Sequence, residues 1–125
     1  MKYLLLIYHN PGSRQIWEAF SEAERAEGLA AYAALNEDLA ASGELIVTEA
    51  LADAPLVKRV TVRDGKTMTS DGPFAEVKEQ LAGFYLVECE SMERAVAIAA
   101  RVPEAEAPVG RVEVRPIMTY SGLEM

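Results

Sequence analysis

Apolar residues fall along this chain in three kinds of run. Tyr3-Leu4-Leu5-Leu6-Ile7-Tyr8 is continuous, the pattern of a strand covered on both faces. It stops at His9-Asn10-Pro11-Gly12, a strong turn signal. Leu29, Tyr32, Leu35 and Leu39 recur at offsets of three and four, which places them on one stripe of a helix. Ser21 and Glu24 have the spacing of a capping box at its start. Ser42-Gly43 supplies a stop, and Gly28 weakens the helix by about 1 kcal/mol. Alternation marks the third kind of run. Val112, Val114 and Pro116 oppose Glu113 and Arg115 in a last strand, which the proline confines to a sheet edge or ends.

Between these runs the spacing predicts a strand over 44–50, a loop holding Pro55, and strands over 57–63 and 66–70. Asp64-Gly65 joins the latter two as a type I′ hairpin turn. That register sets Val62 opposite Thr67, and Arg63 opposite Lys66. Another strand is expected over 82–88, with Phe84 and Leu86 on one face and Tyr85 and Val87 on the other. Ser91 caps a second helix whose core stripe is Ala95, Ile98 or Ala99, and Val102, stopped by Pro103. Trp17 and Phe20 precede the first helix. The order β-α-β-β-β-β-α-β predicts one α+β domain over 1–125, ferredoxin-like, with both helices on one sheet face. The other face, in so short a chain, is most simply buried by a second copy.

Composition narrows the function classes. The 125 residues carry a net charge of −8, which disfavours a nucleic-acid backbone as partner. One cysteine, Cys89, and one histidine, His9, leave no intramolecular disulfide framework, no cysteine-based zinc site and no multi-histidine metal centre. The apolar start is too short to span a bilayer. The expectation is a cytoplasmic protein with no cofactor, metal or membrane association. Charge is unevenly spread: 17–44 and 88–106 are acidic and read as solvated helix faces, whereas 57–66 is basic and reads either as a blunted strand edge or as an anion-attracting mouth near the hairpin.

Asp71-Gly72-Pro73-Phe74-Ala75-Glu76-Val77-Lys78-Glu79-Gln80-Leu81 is the densest polar stretch beside a buried strand. Gly72 before a proline must be extended or in a turn, and Phe74 can anchor the loop to the sheet. If 76–81 is extended, Glu76, Lys78 and Gln80 share a face. In a helical turn Glu76 instead neighbours Glu79 or Gln80. A carboxylate beside a lysine in a cleft suits general acid–base work. The same residues suit an ion-pair network that fixes the loop or a subunit contact.

This stretch, continuing as Gly83-Phe84-Tyr85, resembles the signature of the DGPF group of YCII-related proteins. The likeness runs on through Lys2 to Tyr8, Leu39 to Leu45, Arg63 to Lys66, and Val112 to Pro116. The resemblance implies a ferredoxin-like fold of the dimeric α/β-barrel type and a homodimer with a cleft between sheet and loops. It also implies a possible link to extracytoplasmic-function sigma factors. The YCII pair of histidine and aspartate has its histidine on the first helix, where this chain has Tyr32. From the residues themselves, the candidate catalytic residues are Asp71, Glu76, Lys78 and His9. Phe74, Tyr32 and Gln80 are candidates for binding a small polar or aromatic ligand. The alternative is a non-catalytic dimeric interaction or regulatory protein.

Overall fold

The computed structural model describes residues 1–72, 74, 79–106 and 108–118. Its elements are β1 (Lys2–His9), α1 (Ser13–Ala19), α2 (Glu22–Ser42), β2 (Leu45–Ala50), β3 (Lys58–Arg63), β4 (Lys66–Asp71), β5 (Gln80–Glu88), α3 (Met92–Ala99) and β6 (Gly110–Pro116). Short 3₁₀ turns occupy Ala54–Leu56 and Pro103–Ala105. One antiparallel sheet has the order β2-β5-β1-β6, and β3-β4 forms a separate two-stranded ribbon. The four-stranded order is that of a ferredoxin-like domain, with the ribbon inserted between its second and third sheet strands.

The continuous apolar run of β1 follows from its place at the sheet centre, flanked by β5 and β6. Tyr3, Leu5 and Ile7 are buried with Tyr85 and Val87 of β5. Leu35 and Leu39 of α2, and Ala95, Ile98 and Ala99 of α3, close that core. Leu4, Leu6, Phe84 and Leu86 occupy the opposite face and are only partly covered. β6 is an edge strand and ends at Pro116.

Local signals act where expected. The Ser21 hydroxyl accepts from the Glu24 backbone N–H, and the Glu24 carboxylate accepts from that of Ser21. Gly43 ends α2 at φ 80°, a conformation that favours glycine. Asp64 and Gly65 adopt φ 53° and 75°, and the ribbon has the predicted Val62–Thr67 and Arg63–Lys66 pairs. Two glycines of the polar signature meet backbone. A Cβ at Gly72 would collide with the Ala54 carbonyl, and one at Gly83 would lie 2.9 Å from that of Glu49.

Three expectations need correction. Leu29 is 63 % exposed, because periodicity defines a helix face but not how far the core extends along it. Trp17 and Phe20 do not simply precede the first helix: α1 carries Trp17, and Phe20 is its C-terminal cap. That helix has no side-chain cap and so left no terminal signal. Nor does Pro103 end α3 directly; the helix stops at Ala99 and Pro103 opens the following 3₁₀ turn. Its fixed φ suits a first helical position.

The Arg94 guanidinium grips the Glu44 carboxylate through two hydrogen bonds of 2.9 and 2.8 Å, tying α3 to the start of β2. Those bonds, opposed by burial, hold the Glu44 carboxyl down at about 2. Among the described residues, no helix is long and apolar enough to cross a membrane.

Candidate functional site

A cleft of about 1740 Å³ opens on the helix-bearing side of the sheet, bounded by α1, α2 and the Pro103–Ala105 turn. Four elements bring polar groups to it. β1 ends in His9, α2 presents Tyr32 and Asn36 one turn apart, β5 contributes Tyr85, and the 3₁₀ turn contributes Glu104. The chain after His9 is pinned in place. Asn10 Oδ1 accepts from the Gly12 N–H at 2.9 Å, and Ser13 Oγ accepts from the Asn10 N–H at 2.9 Å. Asn10 Nδ2 donates to the Pro108 carbonyl at 3.0 Å, which ties the end of β1 to the approach to β6.

Glu104 is the hub. Its side chain is 15 % exposed, against 44 % for His9, whose Nε2 lies 3.1 Å from Glu104 Oε2. The other carboxylate oxygen accepts from the Tyr32 hydroxyl. A carboxylate has no proton to donate, so His9 Nε2 must carry one. In the neutral ring Nδ1 then keeps its lone pair, and among the described residues it makes no hydrogen bond. The arrangement is a carboxylate-oriented imidazole with a basic nitrogen free on a partly exposed ring. Beside it, the Tyr85 hydroxyl donates to Asn36 Oδ1.

The electrostatics follow from this packing. Burial pushes the Glu104 carboxyl up, but hydrogen bonds from His9 and Tyr32 outweigh it and leave the group below its ordinary value. Burial raises the Tyr32 hydroxyl, and the hydrogen bond to Glu104 and that group's negative charge raise it further. Burial also raises Tyr85, with Thr48 opposing and the Glu104 charge adding. Both phenols are held neutral beside one carboxylate.

His9, Tyr32 and Gln80 line the cleft. Asp71 does not; it pairs with Lys58 at 2.6 Å at the base of the ribbon, where both are exposed. Phe74 lies under the Arg59 guanidinium, 3.8 Å from its ring centroid, outside the cleft lining. Glu76 and Lys78, and with them most of the choice between an extended and a helical 76–81, lie outside the described residues. The structure thus brings together two candidates that the polar signature did not contain, His9 and Tyr32. It joins them through Glu104, which composition had placed in a solvated acidic face. The only local hint was the break at Pro103 immediately before it. Cys89 is buried, with Sγ 3.5 Å from the Ser91 carbonyl. Among the described residues, no group of His, Cys, Asp and Glu could hold a metal ion.

Fold and site together define a ferredoxin-like α+β domain carrying an imidazole–carboxylate pair in a side cleft. The family model of the YCII-related domain matches residues 1–121, and the chain belongs to that family. An uncharacterized protein of Rhizobium meliloti (strain 1021) is 31 % identical over 125 residues, covering 100 % of this chain and 98 % of its own. Among solved structures, the fold is similar to that of 5-chloro-2-hydroxyhydroquinone dehydrochlorinase from Burkholderia phenoliruptrix AC1100, in complex with 2,5-dihydroxybenzoquinone. That match has a TM-score of 0.52 and 20 % identity over 94 % of each chain.

Proposed function

We propose that this protein binds a small hydroxylated ring compound in the cleft and exchanges a proton with it through His9. The observation that carries this reading is the His9–Glu104–Tyr32 arrangement. Glu104 fixes the tautomer, which leaves Nδ1 to accept a proton from a ligand hydroxyl. The O–H bond of the ligand breaks, an Nδ1–H bond forms, and the ring oxygen retains the electron pair. The dehydrochlorinase of similar fold was solved with a dihydroxybenzoquinone; only the class of ligand, a hydroxylated six-membered ring, is carried over. Gln80 joins the ligand contacts from the start of β5. Asp71 and Phe74 support the ribbon from its base, and Glu76 and Lys78 stay as candidate residues.

Calorimetric titration with catechol tests this. Saturable binding is expected in the wild type, with affinity lowered at least about tenfold in His9→Ala through loss of one charge-assisted contact. Equal affinity in the two proteins removes His9 from the site.

A second reading is favoured by a separate observation. Leu4, Leu6, Phe84 and Leu86 form a partly exposed apolar face that, among the described residues, no helix covers, and a two-fold pairing of copies would bury it. Light scattering at a monomer mass of 13.6 kDa would remove this homodimer. A sigma-factor partner rests on resemblance alone, and its test is co-purification.

A further inference from the structure

We infer that the cleft takes its ring ligand uncharged and turns away anionic ring compounds such as carboxylates. This rests on the reading of the cleft as a ligand site. A pocket built for an anion presents unpaired guanidinium or ammonium groups, because the ligand's charge must be matched when water is removed. Here, among the described residues, the cations lining the cleft besides His9 are Arg14 and Arg101. Each is already committed: Arg14 pairs with Asp53, and Arg101 donates to Asp38 at 2.8 Å. Against them stand six lining carboxylates, Glu24, Glu27, Glu49, Asp53, Glu104 and Glu106.

The floor of the cleft carries the same sign. Glu104 is the least exposed charge there, with both oxygens already engaged by His9 and Tyr32. An anion entering would need to break a pair or lie among like charges. An uncharged ring meets no such cost. It finds the hydroxyls of Tyr32 and Thr48, the His9 ring and the tilted Trp17–Phe20 pair. Hydroxyls and the imidazole supply hydrogen bonds, and the aromatic walls supply apolar contact. Selectivity by charge therefore comes from the pairing of Arg14 and Arg101 more than from any shape in the cleft.

The test compares catechol with 3,4-dihydroxybenzoate, the same diol bearing a carboxylate, by calorimetry at pH 7 in low salt. Catechol should bind at least about tenfold more tightly, and the ratio should shrink as added salt screens the carboxylates. Asp53→Asn removes the partner of Arg14 on the rim, where both side chains are about 70 % exposed, so folding is not at stake. It should raise the affinity of the benzoate several-fold, and by more than it changes that of catechol. Benzoate binding as tightly as catechol in the wild type overturns the inference and leaves the ligand site standing. A ratio unchanged in Asp53→Asn overturns charge as its cause. Binding of neither compound overturns the ligand site itself, and this inference with it.

Discussion

Gly110→Ala is expected to lower the unfolding free energy by about 3 kcal/mol. Gly110 pairs with His9 at the start of β6, and a Cβ there would collide with the Tyr8 carbonyl oxygen. That carbonyl belongs to β1, which is paired on both sides by β5 and β6, so it cannot swing away. The same Cβ would lie 3.4 Å from both the Cβ and the carbonyl oxygen of Glu104. Relief must come from peeling β6 or shifting the Pro103–Ala105 turn, and overpacking of this kind costs about 1–3 kcal/mol. Either movement carries Glu104 away from His9. Urea unfolding should show a lower midpoint at unchanged slope, and catechol affinity should fall with it. A midpoint within experimental error of wild type would mean that Gly110 does not set the position of Glu104.

The second large effect is at Glu104 itself. Glu104→Ala removes the acceptor of both the His9 and Tyr32 hydrogen bonds from a side chain only 15 % exposed. Leaving such donors unmatched, with a small cavity, costs about 2–3 kcal/mol. Glu104→Gln keeps the shape and loses the charge, and the pH dependence separates the two contributions. Burial raises the Glu104 carboxyl, but the bonds from His9 and Tyr32 depress it more. A carboxyl depressed by folding stabilises fully above its unfolded value and loses that contribution as pH falls through its folded value. Wild type should therefore exceed Glu104→Gln in stability at neutral pH, and the gap should close on acidification. A gap that is constant with pH would contradict an ionised Glu104 at the centre of the site.

What the sequence revealed and what it hid divide along chain distance. The capping box of Ser21 and Glu24, the left-handed Gly43 and the Asp64-Gly65 turn each involve residues within a few positions. Their physics is complete in a short window. The β1 run announced a strand, but one face of it, Tyr3, Leu5 and Ile7, is buried and the other, with Leu4 and Leu6, is only partly covered. Leu29 shows the limit of that logic: its spacing is correct for the stripe, but the core does not reach it. α1 escaped because Gly12 gives it no side-chain cap.

The site shows the same division more sharply. His9 and Glu104 are 95 positions apart, and no spacing links them. Only the return of β6 beside β1 brings the Pro103–Ala105 turn against the end of the first strand. The signature from Asp71 drew attention because its polar residues are contiguous. Its first glycine proved to be a packing requirement under the Ala54 carbonyl, and Asp71 an exposed partner of Lys58. Tyr32 was identified by its place on the helix where the family histidine is expected. The structure gives that tyrosine a carboxylate partner, so the position remains polar and engaged although the imidazole comes from β1.

On the proposed function, a ligand meets the protein at His9, Glu104 and Tyr32. The most direct measurement is chemical-shift mapping of the labelled protein during titration with catechol, following the His9 ring and the backbone amides. Saturable shifts are expected at the His9 ring and at the amides of Tyr32, Asn36 and Glu104, all lost in His9→Ala. Shifts confined to the Lys58–Asp71 ribbon or to the Leu4, Leu6, Phe84 and Leu86 face, with the His9 ring unmoved, would contradict it.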